Sequence, residues 1–185
     1  MALLSANRVC RILSRAALLS MSLVNASMAG QAVSLEDTVK AAYVYKFAPF
    51  IVWPSQPAGH TAFTICSIGT DRVSALFPQV TEGQRVDDRP IRVRALSDSD
   101  AVTDCAILYI AASTAAGPIL DAVHGKPILT ITSGSGPNGV IQLVTADNHV
   151  SFDIDAKLAA EDGLGISLKL LGLARTVRRP AETSR

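Results

Sequence analysis

Apolar residues recur at steps of three and four from residue 34 to residue 50 (Val39, Ala42, Tyr43, Phe47, Phe50), the spacing of a helix with one buried stripe. Ser34 stands where its side chain can cap that helix, and Glu36 and Asp37 fall in the first turn, where the macrodipole favours acids. Pro49 ends the regular part near Phe47 or Ala48, and P-F-I-V-W-P beyond it predicts an extended connector. The stretch K-A-A-Y-V-Y-K-F-A-P-F-I-V-W-P holds Tyr43, Tyr45, Phe47, Phe50 and Trp53, most of the rings in a chain with Phe 5, Tyr 3 and Trp 1. Helical spacing assigns Tyr43, Phe47 and Phe50 to a core. Trp53, between short connectors, is the candidate for an exposed or pocket-lining ring.

Residues 62–68 (A-F-T-I-C-S-I) read as a buried strand, and Gly69-Thr70-Asp71 turns the chain into a short helix capped by Thr70 or Asp71 and limited by Pro78. After a polar stretch, I-R-V-R-A-L alternates like a strand with one wet face, and C-A-I-L-Y-I-A from Cys105 is continuous enough for a strand covered on both faces. A helix capped by Ser113 or Thr114 is expected through Val123, with Pro118 near its start, followed by a strand over P-I-L-T-I-T. The Gly-rich S-G-S-G-P-N-G turn leads to V-I-Q-L-V-T and H-V-S-F-D-I-D, a hairpin joined by A-D-N. Asp155 caps a helix through Glu161, Gly163 and Gly165 interrupt it, and Ser167 restarts it as S-L-K-L-L-G-L-A-R-T-V-R-R, with a frayed tail over 180–185. Strands separated by helices predict a single α/β domain: a mainly parallel sheet, helices on both faces, and a C-terminal β-hairpin plus helix.

The first residues add a compartment. Arg8, Arg11 and Arg15 precede an apolar run from Ala16 to Val24, and Ser27-Met28-Ala29 offers a cleavage site, so 1–29 reads as a secretory signal peptide and 30–185 as the mature domain. A retained amphipathic helix is the alternative. The run is shorter than the roughly 20 residues a spanning helix needs, so no membrane insertion is expected. Loss of three arginines turns a balance of 17 basic and 16 acidic residues slightly acidic, which excludes a nucleic-acid footprint and a basic membrane foot.

Cys10 leaves with the signal, so Cys66 and Cys105 remain as an even pair in an oxidising compartment, where a bridge is expected and two free buried thiols are the alternative. Closing such a loop contributes about 4 kcal/mol on the chain-entropy account. His60, His124 and His149 are too scattered to form a metal site with them.

The sequence lacks the familiar catalytic motifs. G-S-G-P-N-G is followed by a strand rather than the helix a phosphate loop requires, and Gly125-Lys126 is followed by Pro127. The sequence carries neither G-x-S-x-G nor H-E-x-x-H, and Asp87/Asp88 and Asp98/Asp100 lie in polar segments typical of solvated loops. No cofactor and no enzyme activity is expected.

Four stretches, A-A-Y-V-Y-K-F-A-P-F-I-V-W-P, F-T-I-C-S-I-G, D-C-A-I-L-Y-I-A and V-S-F-D-I-D-A-K-L-A-A-E-D-G-L-G-I-S-L-K-L-L-G-L-A-R, together resemble the YfiR-like family of bacterial periplasmic proteins. The resemblance implies an exported repressor that binds the periplasmic sensory domain of a membrane-bound diguanylate cyclase, lowering cyclic di-GMP output and biofilm growth without chemistry of its own. It also implies a homodimer and a bridge between Cys66 and Cys105 through which redox state influences activity. Some relatives carry a second cysteine pair near residues 132–141, a region in which this chain has no cysteine (I-T-S-G-S-G-P-N-G-V spans 131–140), so switching that depends on that pair is not carried over.

Apolar residues in irregular backbone mark the expected docking face. Leu164 and Ile166 at the helix break, Ala146 to Val150 in the hairpin loop, and Leu168 at the start of the last helix form the candidate partner-binding surface, with Leu164 tucked inward as a staple as the alternative. The rival function is a periplasmic small-molecule binding module, with a pocket at the strand ends, that acts on another membrane sensor.

Overall fold

The computed structural model describes residues 34–54, 61–97, 102–147 and 149–179. The expected signal peptide, His60, Asp98, Asp100 and the tail from Pro180 lie outside the described residues.

Ten strands and six α-helices follow one another among these residues. The first half comprises α1 (Leu35–Lys46), a 3-10 turn (Ala48–Phe50), β1 (Ile51–Val52), β2 (Phe63–Ile68), α2 (Arg72–Ala75), α3 (Phe77–Thr81), β3 (Arg85–Val86), β4 (Arg89–Leu96) and a second 3-10 turn (Val102–Asp104). The second half comprises β5 (Ile107–Ile110), α4 (Ala116–Val123), β6 (Leu129–Ser133), β7 (Ile141–Ala146), β8 (His149–Asp155), α5 (Ala156–Glu161), β9 (Gly165–Ile166), α6 (Leu168–Leu173) and β10 (Thr176–Arg178).

Eight of the strands form one sheet in the order β10-β8-β7-β6-β5-β2-β4-β3, and β1 pairs with β9 in a separate ribbon. Within the sheet, β10/β8, β2/β4, β2/β5, β5/β6 and β6/β7 run parallel. The β7/β8 hairpin and β3/β4 are antiparallel.

Strand alternation divides the interior. Phe63 and Ile65 of β2, Ile107 and Tyr109 of β5, and Leu129 and Ile131 of β6 pack with Val44 and Phe47 on the α1 side. Cys66, Ile68, Leu108 and Ile110 point the other way and pack with Ala116 and Val123 of α4. The early rings belong to this packing: Phe47 meets Phe152 of β8 at 4.9 Å between centroids, and Tyr43 stands edge-on to the same ring at 6.1 Å.

Local chemistry sets most boundaries. Ser34 accepts from the Asp37 amide at 3.0 Å to cap α1, and Asp71 rather than Thr70 caps α2 in a reciprocal box with Ser74. The helix capped by Asp71 ends at Ala75, short of Pro78 as expected, and Pro78 itself sits in the first turn of α3, where its missing N–H costs nothing. Two expectations are corrected. Neither Ser113 nor Thr114 caps α4; Ala115 holds the cap position and no side chain closes it. The last helix stops at Leu173, and Thr176–Arg178 extends as an edge strand along β8, because the Arg175 amide donates to Phe152 O at 2.8 Å and draws the chain onto the sheet. A hairpin not foreseen in the sequence joins β3 and β4 through Asp87 and Asp88, both at positive φ (46° and 62°).

Candidate interaction surface

Open α/β sheets place ligands at the carboxyl ends of strands where the winding reverses. Here the reversal lies between β2 and β5, since the chain passes from β2 to β4 on one side and from β5 to β6 on the other. Asp71 fills that crevice. Its Oδ1 accepts from the Ser74 amide at 2.8 Å, and its Oδ2 accepts from Tyr109 Oη at 2.7 Å and from the Ala112 amide at 3.3 Å. Gly69 beside it has φ +77°, and a Cβ there would stand 1.9 Å from Thr114 Oγ1. The carboxylate is thus committed to internal bonds. Burial, reinforced by the Asp71 charge, pushes the Tyr109 phenol well above its ordinary range.

The disulfide lies on the opposite side of the same pair of strands from α1. Cys66 on β2 and Cys105 just before β5 are bridged with Cα atoms 5.8 Å apart, and both are buried among Val102, Leu108, Val123 and Ile128. Since Cys66 stands in register with Leu108 of β5, the bridge ties the centre of β2 to the residues that lead into its neighbour. Cys105 also lines a cavity with Trp53. Trp53 is half-buried, edge-on to Phe63 at 5.6 Å, and its indole nitrogen is buried without an acceptor among the described residues.

The five residues expected at the docking face separate into two groups. Ala146 is exposed and Val150 half-buried at the β7–β8 turn, which Thr145 Oγ1 fastens to Glu36 Oε1 in the first turn of α1 at 2.6 Å. Leu164, Ile166 and Leu168 lie beyond the other end of α1, where the Ser167 amide donates to Phe50 O at 2.9 Å. A helix of 12 residues, about 18 Å long, stands between the groups.

Leu164 takes the inward alternative. Its amide donates to Ala159 O at 2.7 Å, the Gly163 amide donates to Ala160 O at 3.1 Å, and Gly163 has φ +75°, the hydrogen bonds of a Schellman motif closing α5. Leu164 and Ala159 are both buried in the α1-side core. Leu164 therefore belongs to the interior rather than to a docking surface.

Besides Leu35 and Leu173, the large exposed apolar side chains among the described residues are Val52 on the β1/β9 ribbon and Leu168 at the start of α6, a pair we term the ridge. Val52, opposite Gly165, is 67% exposed and Leu168 85% exposed, while Ile166, opposite Ile51, is half-buried against the core. Lys169 Nζ stands 5.6 Å over the Phe50 ring beside them. Sequence reasoning missed Val52 because two residues give no alternation; the ribbon exists only once β9 is folded against it.

Asp162 follows α5 and is buried. Its Oδ1 accepts from the Gly125 amide at 2.7 Å and stands 3.1 Å from His124 Nδ1, pinning the turn after α4. Burial raises its carboxyl above the ordinary range. Among the described residues no cluster of His, Cys, Asp and Glu could hold a metal ion, and no helix is long and apolar enough to cross a membrane.

The arrangement of strands, bridge and ribbon spans the part of the chain, residues 37–175, that matches the YfiR/HmsC-like family model. The chain belongs to the YfiR/HmsC-like family. The match runs from the first turn of α1 to Arg175, which docks β10. No curated protein sequence matches the chain.

Proposed function

We propose that this YfiR/HmsC-like protein is a periplasmic repressor that binds the sensory domain of an inner-membrane diguanylate cyclase and lowers cyclic di-GMP output. The observation that carries the reading, beside family membership, is the exposure of Val52 on the β1/β9 ribbon and of Leu168 at the start of α6, two residues after that ribbon. Such a surface suits a protein that acts by gripping another and leaves the chemistry to its partner. Repression then requires only differential affinity, and a preference of about 3 kcal/mol for the inactive cyclase shifts its equilibrium more than a hundredfold.

The Cys66–Cys105 bridge supports the same reading. It crosses the centre of the sheet, so its reduction loosens the scaffold that presents the ridge and weakens the grip. The repressor acts as a homodimer in this account. The experiment is crosslinking from intact cells followed by capture of the protein with its membrane partner, comparing wild type with a Val52→Glu/Leu168→Glu variant. A cyclase recovered with wild type and lost with the variant supports the proposal, and equal recovery contradicts it.

A further inference from the structure

At the amino ends of β2, β5 and β6, opposite the crevice that Asp71 fills, a cavity of about 300 Å³ opens beside the disulfide. Trp53, Phe63, Ala106 and Ile128 give it an apolar wall, and Cys105 lines it as well. Its volume is at the low end for small-molecule sites, enough for a short chain and not for a folded partner.

The charges around it favour an anion. Arg89 and Lys126 line the cavity against one acid, Asp104, which itself stands 3.7 Å from Arg94. Lys126 is exposed and makes no ion pair with any described residue, and Arg89 stands 3.5 Å from Asp87 at the surface. The wall favours an aliphatic body over a stacked ring. Phe63 already has Trp53 edge-on at 5.6 Å and the Arg89 guanidinium over its ring at 5.3 Å, which leaves little ring face for a ligand to stack on.

We propose that this cavity binds a small alkyl carboxylate, its chain along Trp53, Ala106 and Ile128 and its carboxylate toward Lys126 and Arg89. This proposal does not rest on the partner-binding reading. Because Cys105 forms part of the lining, an occupied cavity shields the bridge, and ligand slows its reduction.

Octanoate is a suitable probe because it is optically silent and the chain has a single tryptophan, Trp53. Titration of the oxidised mature protein should give a saturable change in Trp53 emission, at least tenfold tighter for octanoate than for octanol, and saturating octanoate should slow disulfide reduction by a water-soluble phosphine at least threefold. Thr103→Phe, on an exposed residue of the lining, should abolish the titration without moving the melting temperature. Lys126→Gln, also on an exposed side chain, should bring octanoate and octanol within threefold of each other. Several results would overturn the proposal: no saturable change, equal affinity for acid and alcohol, a folded Thr103→Phe protein that binds as wild type does, or co-sedimentation with phosphatidylglycerol vesicles in place of octanoate binding.

Discussion

Tyr109 Oη donates to Asp71 Oδ2 across 2.7 Å, joining the centre of β5 to the cap of α2 at the point where the sheet reverses its winding. Tyr109→Phe keeps the ring packed against Phe77 but removes that bond, and should destabilise the fold by about 1.5–3 kcal/mol, the range for bonds to charged groups. Denaturant unfolding measures it. Because the folded phenol ionises only far above its ordinary value, this group's contribution is complete below about pH 10 and is lost at higher pH, where the unfolded chain gives up its proton. An absorbance titration at 295 nm should therefore show Tyr109 ionising only as the protein unfolds.

The bridge gives a larger effect. Replacing Cys66 and Cys105 by alanine should cost about 4 kcal/mol or somewhat less, read as a fall in the denaturant midpoint, because the loop it closes spans 39 residues. Phosphine reduction of the wild type should move the midpoint the same way and leave the alanine variant unchanged.

Leu164 and Leu168, four residues apart, should respond in opposite ways. Leu164→Ala empties a core position and should cost about 2–5 kcal/mol, and Gly163→Ala, forced to positive φ, about 1 kcal/mol. Leu168→Glu lies in solvent and should stay within about 0.5 kcal/mol of wild type. Thermal melts of the three variants decide whether core and ridge are correctly separated.

Acid should release β10. The Arg175 guanidinium holds the Asp153 carboxyl below its ordinary range, with Arg175 Nε at 2.9 Å from Oδ1 and Nη2 at 2.5 Å from Oδ2. The stability this pair contributes is present above the ordinary carboxylate value and is lost as pH falls through the depressed one. Arg175→Gln should lower stability modestly at neutral pH, a difference that shrinks and disappears as pH falls through the depressed Asp153 value. Asp162 works in the reverse sense: burial raises its carboxyl, so its contribution is complete at low pH and falls as pH rises through the raised value. Asp162→Asn, which still offers an oxygen to the Gly125 amide, should remove that decline in a series of denaturant melts across the acid range.

How much of this was legible in the chain differs from element to element. Ser34, Asp155 and Ser167 announce their helices because a capping side chain acts within three residues, and all three accept the expected amide bond. The strands around Cys66 and Leu108 were equally plain, since burial on both faces leaves room for no charged residue and for only the small hydroxyls of Thr64 and Ser67 among the apolar positions. The end of the last helix was not. S-L-K-L-L-G-L-A-R-T-V-R-R keeps a helical pattern to its end, yet Arg175 has a better partner in Asp153, more than 20 residues earlier, and only the folded sheet supplies it. Leu164 was ambiguous for a related reason. A leucine between two glycines fits a surface loop or a Schellman closure equally, and the core that receives it comes from distant segments. The ridge depends on the pairing of Val52 with Gly165, which no local pattern encodes.

Cyclic di-GMP measured in cells that lack this protein tests the central claim most directly, with the gene restored as wild type or as Val52→Glu/Leu168→Glu and the export and melting temperature of both forms verified. The account predicts that deletion raises the nucleotide and that wild type returns it to its former level, whereas the folded, exported double variant leaves it high. A level unmoved by deletion, or lowered equally by both forms, would contradict it.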